Sequence, residues 1–415
     1  MNYNIFNLLW QGLKSHSGWP QAWRSPNPQP HYDAVIIGGG GHGLATAYYL
    51  AREHGMTNIA VLEKGWLGGG NTGRNTTAVR SDYMFPESAA MYDFALRLYE
   101  NLGKDLNYNI MLSQRGWLTL IHDQHQMENA RHKVNWLHCN GIDCEVIGAN
   151  RVLKMLPNMN IDDNPRSPVL GAFFQKRGGT ARHDAVAWGY ARAAARLGVD
   201  IIQNCEVQGF EMSQGRVTGI NTSRGQVKTD RVGVATAGHI SVIADMAGFR
   251  LPIRSHCLQA MVSEPVKPLL NHVVLSPNTG VYISQTQKGE LVMGGMLDLY
   301  NSYGQRGTFP TIEKVVTAVV EMFPTFSQMR LMRHWAGIVD ISPDSSPILG
   351  QTPVDNIYIN CGWGTGGFKA IPAGGYLLAH SIAKGSPHKL AAPFGLNRFR
   401  ENRLVDEGAA AGIAH

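Results

Sequence analysis

The stretch Tyr32-Asp33-Ala34-Val35-Ile36-Ile37-Gly38-Gly39-Gly40-Gly41-His42-Gly43 runs from a short apolar segment into a glycine cluster, and a second apolar segment at 59–62 ends in Glu63. This spacing predicts a strand, a tight turn, a helix over 44–53 and a second strand closed by an acid, which is the opening of a dinucleotide-binding unit. Gly38 lets the chain turn out of the first strand, Gly40 lets the backbone approach a pyrophosphate, and Gly43 lets the helix lie close on the sheet. Gly41 and His42 sit inside the same loop. The helix N-terminus then offers free N–H groups to the phosphates, and Glu63 can accept from a ribose. With 47 glycines in the chain a glycine cluster alone would carry little; strand, loop, helix, strand and terminal acid in register carry the reading. The motif does not separate NAD from FAD.

A chain of 415 residues with 44% hydrophobic content has room for a substantial core and two or three domains. Its net charge of +6 comes from scattered Lys and Arg with no basic run, which argues against a nucleic-acid partner and for a mild bias towards anionic small molecules. The five cysteines form no CxxC pair, so neither a disulfide framework nor a metal site is indicated, and a reducing cytoplasm fits. No apolar run is long enough to span a membrane, and the first 23 residues lack the features of a signal peptide. That arm carries Phe6, Leu8, Leu9 and Trp10 and is followed by a Pro-spaced, extended linker over 25–30. It docks either on its own chain or on a partner subunit. The tail at 408–414 is a small-residue stretch.

Further along, 86–140 reads as helix-rich with one strand at 116–121. Residues 184–197 read as a helix with Asp184 as N-cap and Gly198 closing it. Three short strands at 207–210, 216–221 and 227–230 lead to a return strand at 232–235. Alternating segments between 251 and 333 suggest an antiparallel sheet, with a helix at 312–322. A last strand at 357–360 runs into Cys361-Gly362-Trp363-Gly364-Thr365-Gly366-Gly367-Phe368-Lys369 and a helix at 373–383.

This order resembles the FAD-dependent amine oxidase family that includes D-amino acid and sarcosine oxidases. The stretches 38–50, 181–188 (Ala-Arg-His-Asp-Ala-Val-Ala-Trp) and 360–369 resemble, within it, the beta subunits of heterotetrameric sarcosine oxidases. The resemblance implies an α/β fold: a discontinuous Rossmann-like FAD-binding domain (32–85, 150–248 and 335–390) with an inserted α+β substrate domain on an antiparallel sheet (86–149 and 249–334), preceded by the arm 1–31 and followed by the tail 391–415. It implies noncovalent FAD along Gly38 to Gly43 with Glu63 on the ribose, and Asn71, Arg74 and Thr76 beside the flavin. Val207 would lie by the adenine, and Gly364 and Gly367 by the isoalloxazine. An ordinary Gly/Asn turn is the other reading of 71–77.

His183, by itself a histidine ahead of a helix, matches the family's site of a covalent second flavin, FMN. Arg80 and Lys369 match the positions that bind a substrate carboxylate; Lys369 could instead contact the FMN phosphate. Where monomeric relatives tether FAD to a cysteine, this chain has Gly337 to Asp344 and no thiol, so the FAD should dissociate. The implied activity is oxidative demethylation of sarcosine to glycine and formaldehyde, or to methylenetetrahydrofolate. Electrons would pass from FAD to FMN to oxygen, giving hydrogen peroxide, with NAD and tetrahydrofolate on an alpha subunit and with smaller gamma and delta subunits. A related dehydrogenase subunit for proline, dimethylglycine or an opine is one alternative; a non-catalytic subunit with a structural FAD is another.

Overall fold

The computed structural model describes residues 4–19, 21–160 and 166–405; the small-residue tail at 408–414 lies outside them. At its centre the strand Ala34–Ile37 is flanked by Ile59–Leu62 on one side and Val232–Val234 on the other, all parallel. These β-branched runs are buried on both faces, as parallel strands under helices must be. Asp200–Ile202 and Ile357–Cys361 extend the sheet in parallel, and Ile348–Gln351 closes it antiparallel, giving six strands. Between Ala34–Ile37 and Ile59–Leu62 lies the helix Gly41–His54, ended by Gly55 in the left-handed conformation. It begins three residues earlier than the apolar period suggested, because its first turn is the glycine loop itself.

That helix packs against Gly367–Lys384 and His183–Arg196 over a core that includes Leu44, Leu50, Tyr190, Ile371 and Leu378. The helix Gly367–Lys384 contains Pro372, which has no N–H to give the carbonyl four residues back. The buried Tyr99 hydroxyl, from the helix Pro86–Asp105, donates to that Phe368 carbonyl at 2.7 Å.

A second, eight-stranded sheet runs from Leu331–Ile341 through Arg254–Pro265, Glu290–Asn301 and Val281–Gln285 to Val273–Ser276, Trp117–Ile121, Gly171–Gln175 and Glu145–Gly148. It is antiparallel except where Val273–Ser276 meets Trp117–Ile121 in parallel, since these strands come from distant parts of the chain. Two expected boundaries shift. Gly171–Gln175, assigned from sequence to the nucleotide unit, pairs with Trp117–Ile121 in this sheet. Leu331–Ile341 runs through the boundary expected at 334–335 and ends against the nucleotide unit, bridging to Trp363. The three-strand meander is also joined by a fourth, His31–Tyr32, in parallel with Gly225–Thr229.

Asp184 is not the N-cap. The helix starts at His183, with Arg182 at the cap, and Asp184 pairs with Arg182 at 2.8 Å and accepts the Ala185 N–H. The arm forms a helix, Ile5–Leu13, started by the Asn4 side chain and burying none of its residues. Leu13 is 81% and Phe6 78% exposed. The linker behind it is tied down at Asp200 by Arg24 (2.7 Å), Gln29 (2.7 Å) and Tyr32 (3.1 Å). Among the described residues no helix is long and apolar enough to cross a membrane, and all five cysteines are free.

Candidate active site

A cavity of about 1020 Å³ lies where the two large sheets meet. Its lining includes Gly38, Gly40, Gly41, His42, Glu63 and Val207 from the nucleotide unit, Asn71, Arg74, Thr76 and Arg80 from the segment that follows, and Gly364, Gly367 and Lys369 from the C-terminal glycine loop and helix. Gly38 has φ +111°, and a Cβ there would stand 2.5 Å from the Ala235 carbonyl oxygen. Gly43 lies outside the cavity and presses its helix on the strand, with a would-be Cβ 2.0 Å from the Gly38 oxygen. The cradle fits an extended dinucleotide: a bare backbone at a helix N-terminus, an acid at the end of the second strand, and a cavity of the right length class. Glu63 uses one lone pair on each carboxylate oxygen to hold the N–H groups of Gly39 and Gly65, both at 2.8 Å, which leaves further acceptor sites for a ribose.

Three of the expected flavin neighbours spend their side chains on the protein. Asn71 pairs with both the N–H and the carbonyl of Ile338, accepting from the former at 2.9 Å. Arg74 donates to the carbonyls of Gly69 and Gly70 and to Gln305, closing its own loop. Thr76 donates to the Tyr282 hydroxyl at 3.0 Å. The wall is thus a fastened loop.

Arg80 leaves the short strand Ala78–Val79 and lies between Trp117 and Tyr83, its guanidinium carbon 4.9 and 5.2 Å from their rings. One Nη donates to Asp82 at 2.5 Å; the other oxygen of Asp82 takes Lys133 at 2.9 Å. Burial opposes the charges here, yet Asp82 holds the Arg80 guanidinium above its ordinary pKa, and Arg80 with Lys133 holds Asp82 well below the carboxylate range. Lys369, in the first turn of its helix, is 6% exposed and donates to the Thr365 carbonyl at 3.1 Å. Burial, and then the charge of Arg80, lower its pKa to about 7, against the pull of Asp82. This part of the wall therefore holds one permanent cation and one that titrates near neutrality, beside the Trp117 ring, a combination chemically suited to an anionic group.

His42 is half-buried and kept neutral, desolvation lowering its pKa to about 4 against the opposing pull of the Gly367 carbonyl. Its Nε2 meets that carbonyl at 2.9 Å, its Nδ1 meets the Asn360 amide at 3.2 Å, and its ring stacks on Trp363 at 4.9 Å. Asp340, also on the cavity wall, accepts the Gly362 N–H at 2.5 Å; burial raises its pKa to about 6, opposed by the Gly362 and Trp363 N–H groups.

His183 does not line the cavity. It sits behind the 72–74 turn, with Gly73 beside its ring, and its Nδ1 is buried without a hydrogen-bond partner among the described residues. Burial lowers its pKa, Asp184 opposing, so the imidazole is biased to its neutral form.

The sequence reading missed Asp82, Lys133, Trp117 and Asp340. Asp82 stands two residues after Arg80, a spacing that could have marked it as an orienting acid. Lys133 comes from a distant helix, Gln124–Cys139, and nothing local announces it.

The sequence pattern of the FAD dependent oxidoreductase family matches residues 33–381. The sarcosine oxidase subunit beta of Rhodobacter capsulatus is 52% identical over 414 residues, covering 100% of this chain and 99% of that protein. The corresponding subunit of an Arthrobacter species is 52% identical over 95% of this chain and 97% of its own length. Among solved structures, the L-proline dehydrogenase of P. horikoshii superposes with a TM-score of 0.85 at 26% identity, over 91% of this chain and 100% of that one. Glycine oxidase from Bacillus cereus shares the fold at a TM-score of 0.77 and 20% identity, over 87% of this chain and 97% of its own. With a glycine-loop cradle and two buried cations lining one cavity, and with these matches over nearly its whole length, this chain belongs to the FAD-dependent oxidoreductase family and, within it, to the sarcosine oxidase beta subunits.

Proposed function

We propose that this chain is the catalytic beta subunit of a sarcosine oxidase and oxidatively demethylates sarcosine to glycine and formaldehyde, or to methylenetetrahydrofolate where a partner subunit presents the pterin. The observation that supports this is that Arg80 and Lys369 line the same cavity as the glycine-loop cradle. Noncovalent FAD, held along 38–43 with Glu63 at the ribose and Gly364 and Gly367 at the ring, supplies a two-electron acceptor. Arg80 anchors the substrate carboxylate by a two-point contact, with Asp82 fixing the guanidinium plane and Trp117 and Tyr83 confining it. Lys369 adds a second N–H donor. With both cations on the carboxylate, the N-methyl group is left free to point into the cavity, away from water.

The same reading assigns a covalent FMN to His183, supported by its half-buried, neutral-biased ring and its buried Nδ1, unsatisfied among the described residues. It also assigns NAD and tetrahydrofolate to an alpha subunit, gamma and delta subunits to the complex, and oxygen as final acceptor. The exposed apolar face of Ile5–Leu13, none of whose described residues is buried on its own chain, docks on a partner subunit. Free cysteines throughout suit a reducing cytoplasm.

Sarcosine added without oxygen is expected to bleach the FAD absorption band. An unchanged band would mean a structural FAD and end the catalytic reading. The similarity to an L-proline dehydrogenase makes a substrate panel of sarcosine, proline, dimethylglycine and an opine the second measurement; faster bleaching by any of the last three would reassign the substrate. For the second flavin, acid-precipitated protein is expected to stay yellow and to carry the mass of one FMN on the peptide holding His183, with both lost in His183→Ala.

A further inference from the structure

Loop 362–366 connects the strand Ile357–Cys361 to the helix Gly367–Lys384, so it sets both the glycines expected at the flavin ring and the position of Lys369. A loop so rich in glycine does not hold one shape by itself. Three elements hold this one. From the nucleotide helix, His42 stacks on Trp363 and bonds the Gly367 carbonyl. From the helix Pro86–Asp105, the Tyr92 hydroxyl lies 2.2 Å from where a side chain at Gly366 would begin. From the eight-stranded sheet, Asp340 accepts the Gly362 N–H at 2.5 Å, and the next residue, Ile341, bridges to Trp363.

Asp340 is the unusual member. It is 2% exposed, forms no ion pair among the described residues, and directs its carboxylate at the loop's backbone N–H groups. Burying a carboxylate without a cation is costly unless its hydrogen bonds are made, and a neutral side chain would serve ordinary packing better. The residue also stands on the cavity wall, on a strand of the substrate sheet that bridges to the flavin-facing loop. Gly362 itself has φ +73°, a conformation open to glycine and closed to most other residues, so its N–H takes a direction that a side-chain-bearing residue would rarely give it.

We propose that Asp340 is a positioning residue: its carboxylate fastens the backbone at Gly362 and Trp363, so that the loop keeps the shape that receives the flavin ring and presents Lys369 beside Arg80. This rests on the FAD reading of the cavity. It gives the substrate sheet a direct hold on the cofactor loop.

The test compares the full-length chain, in its assembled complex, with Asp340→Ala and Asp340→Asn. FAD is stripped and titrated back while the flavin absorption band, the melting temperature of the FAD-free protein and the kcat and KM for sarcosine are recorded. Loss of a charge-assisted hydrogen bond predicts FAD binding weaker by about tenfold or more in Asp340→Ala, with a displaced band and a raised KM. Asp340→Asn keeps one acceptor oxygen and is expected to fall between. An Asp340→Ala protein with unaltered FAD affinity, band and KM overturns the proposal. So does a lowered melting temperature with an unmoved flavin band, which is what a merely structural role gives. If Asp340→Ala does not fold, Asp340→Asn decides: severalfold weaker FAD at an unchanged melting temperature supports the proposal, and equality with the unaltered chain overturns it. An unaltered chain that takes up no FAD removes the cavity reading and this inference with it, whereas FAD uptake indifferent to residue 340 removes the inference alone.

Discussion

Lys369 sits under two opposed demands: burial disfavours its ammonium, and the carboxylate-anchoring role proposed for it requires that charge. With the pKa lowered to about 7, the charge is present below that value and lost above it. Binding of a carboxylate probe such as acetate, read from the flavin spectrum, is therefore expected to weaken as pH rises through about 7 and to level off where Arg80 alone remains charged. Lys369→Met should bind acetate about tenfold more weakly at pH 6, as loss of one charged hydrogen bond implies, with a flat pH profile. Linkage gives a second readout. Between about pH 7 and the ordinary lysine value of 10.5 the unfolded chain holds a proton that the folded chain does not, so this group's contribution to stability rises with pH across that window. A stability profile of Lys369→Met that kept the same slope would contradict the burial argument. At this scale the sequence exposed Arg80 and Lys369, through motifs on which a resemblance could rest. It did not expose Lys133 or Asp340, because partnership across a fold leaves no local pattern: Lys133 reaches Asp82 only because Gln124–Cys139 packs against the strands Trp117–Ile121 and Glu145–Gly148.

The helix Gly367–Lys384 shows how an element carries the site. Pro372 would ordinarily break or kink a helix interior, and the carbonyl it leaves at Phe368 is one residue from Lys369. Tyr99 meets that carbonyl, so the helix keeps its first turn and the lysine keeps its place. Tyr99→Phe is expected to leave a buried carbonyl unsatisfied and to cost about 1–3 kcal/mol in denaturant unfolding. Because the kink freed would lie beside Lys369, KM for sarcosine should also rise; unchanged stability and KM would mean that water replaces the hydroxyl. Elements with a clean apolar period, such as Ile59–Leu62 and the core of Gly41–His54, were legible in the sequence almost to the residue. The starts of Gly41–His54 and Gly367–Lys384 were not, because both begin in glycine loops whose helical shape comes from packing rather than propensity. The Arg182–Asp184 pair likewise took over an acid that propensity alone placed at the cap.

At the scale of the molecule, the nucleotide cradle is assembled from distant stretches of chain. The six-stranded sheet takes its strands from 34–62, 200–234 and 348–361, and the substrate sheet is threaded between them. This alternation was readable as a discontinuous domain. The strand Gly171–Gln175 was not assignable, since a short apolar run suits either sheet and only pairing decides. A chain ending at residue 356 keeps the glycine motif at 38–43 but lacks Ile357–Cys361, the flavin-facing loop and the helix on which Gly41–His54 packs. It is expected to bind no FAD and to show no cooperative unfolding; yellow, cooperatively melting material from such a truncation would refute the assembly described here. The order of synthesis then acquires a chemical meaning. The motif that grips the pyrophosphate emerges from the ribosome early, yet the floor on which the ring must rest emerges near the end. Loading with FAD is therefore expected to wait for that late stretch, and protein cut short ahead of it should be left without its FAD.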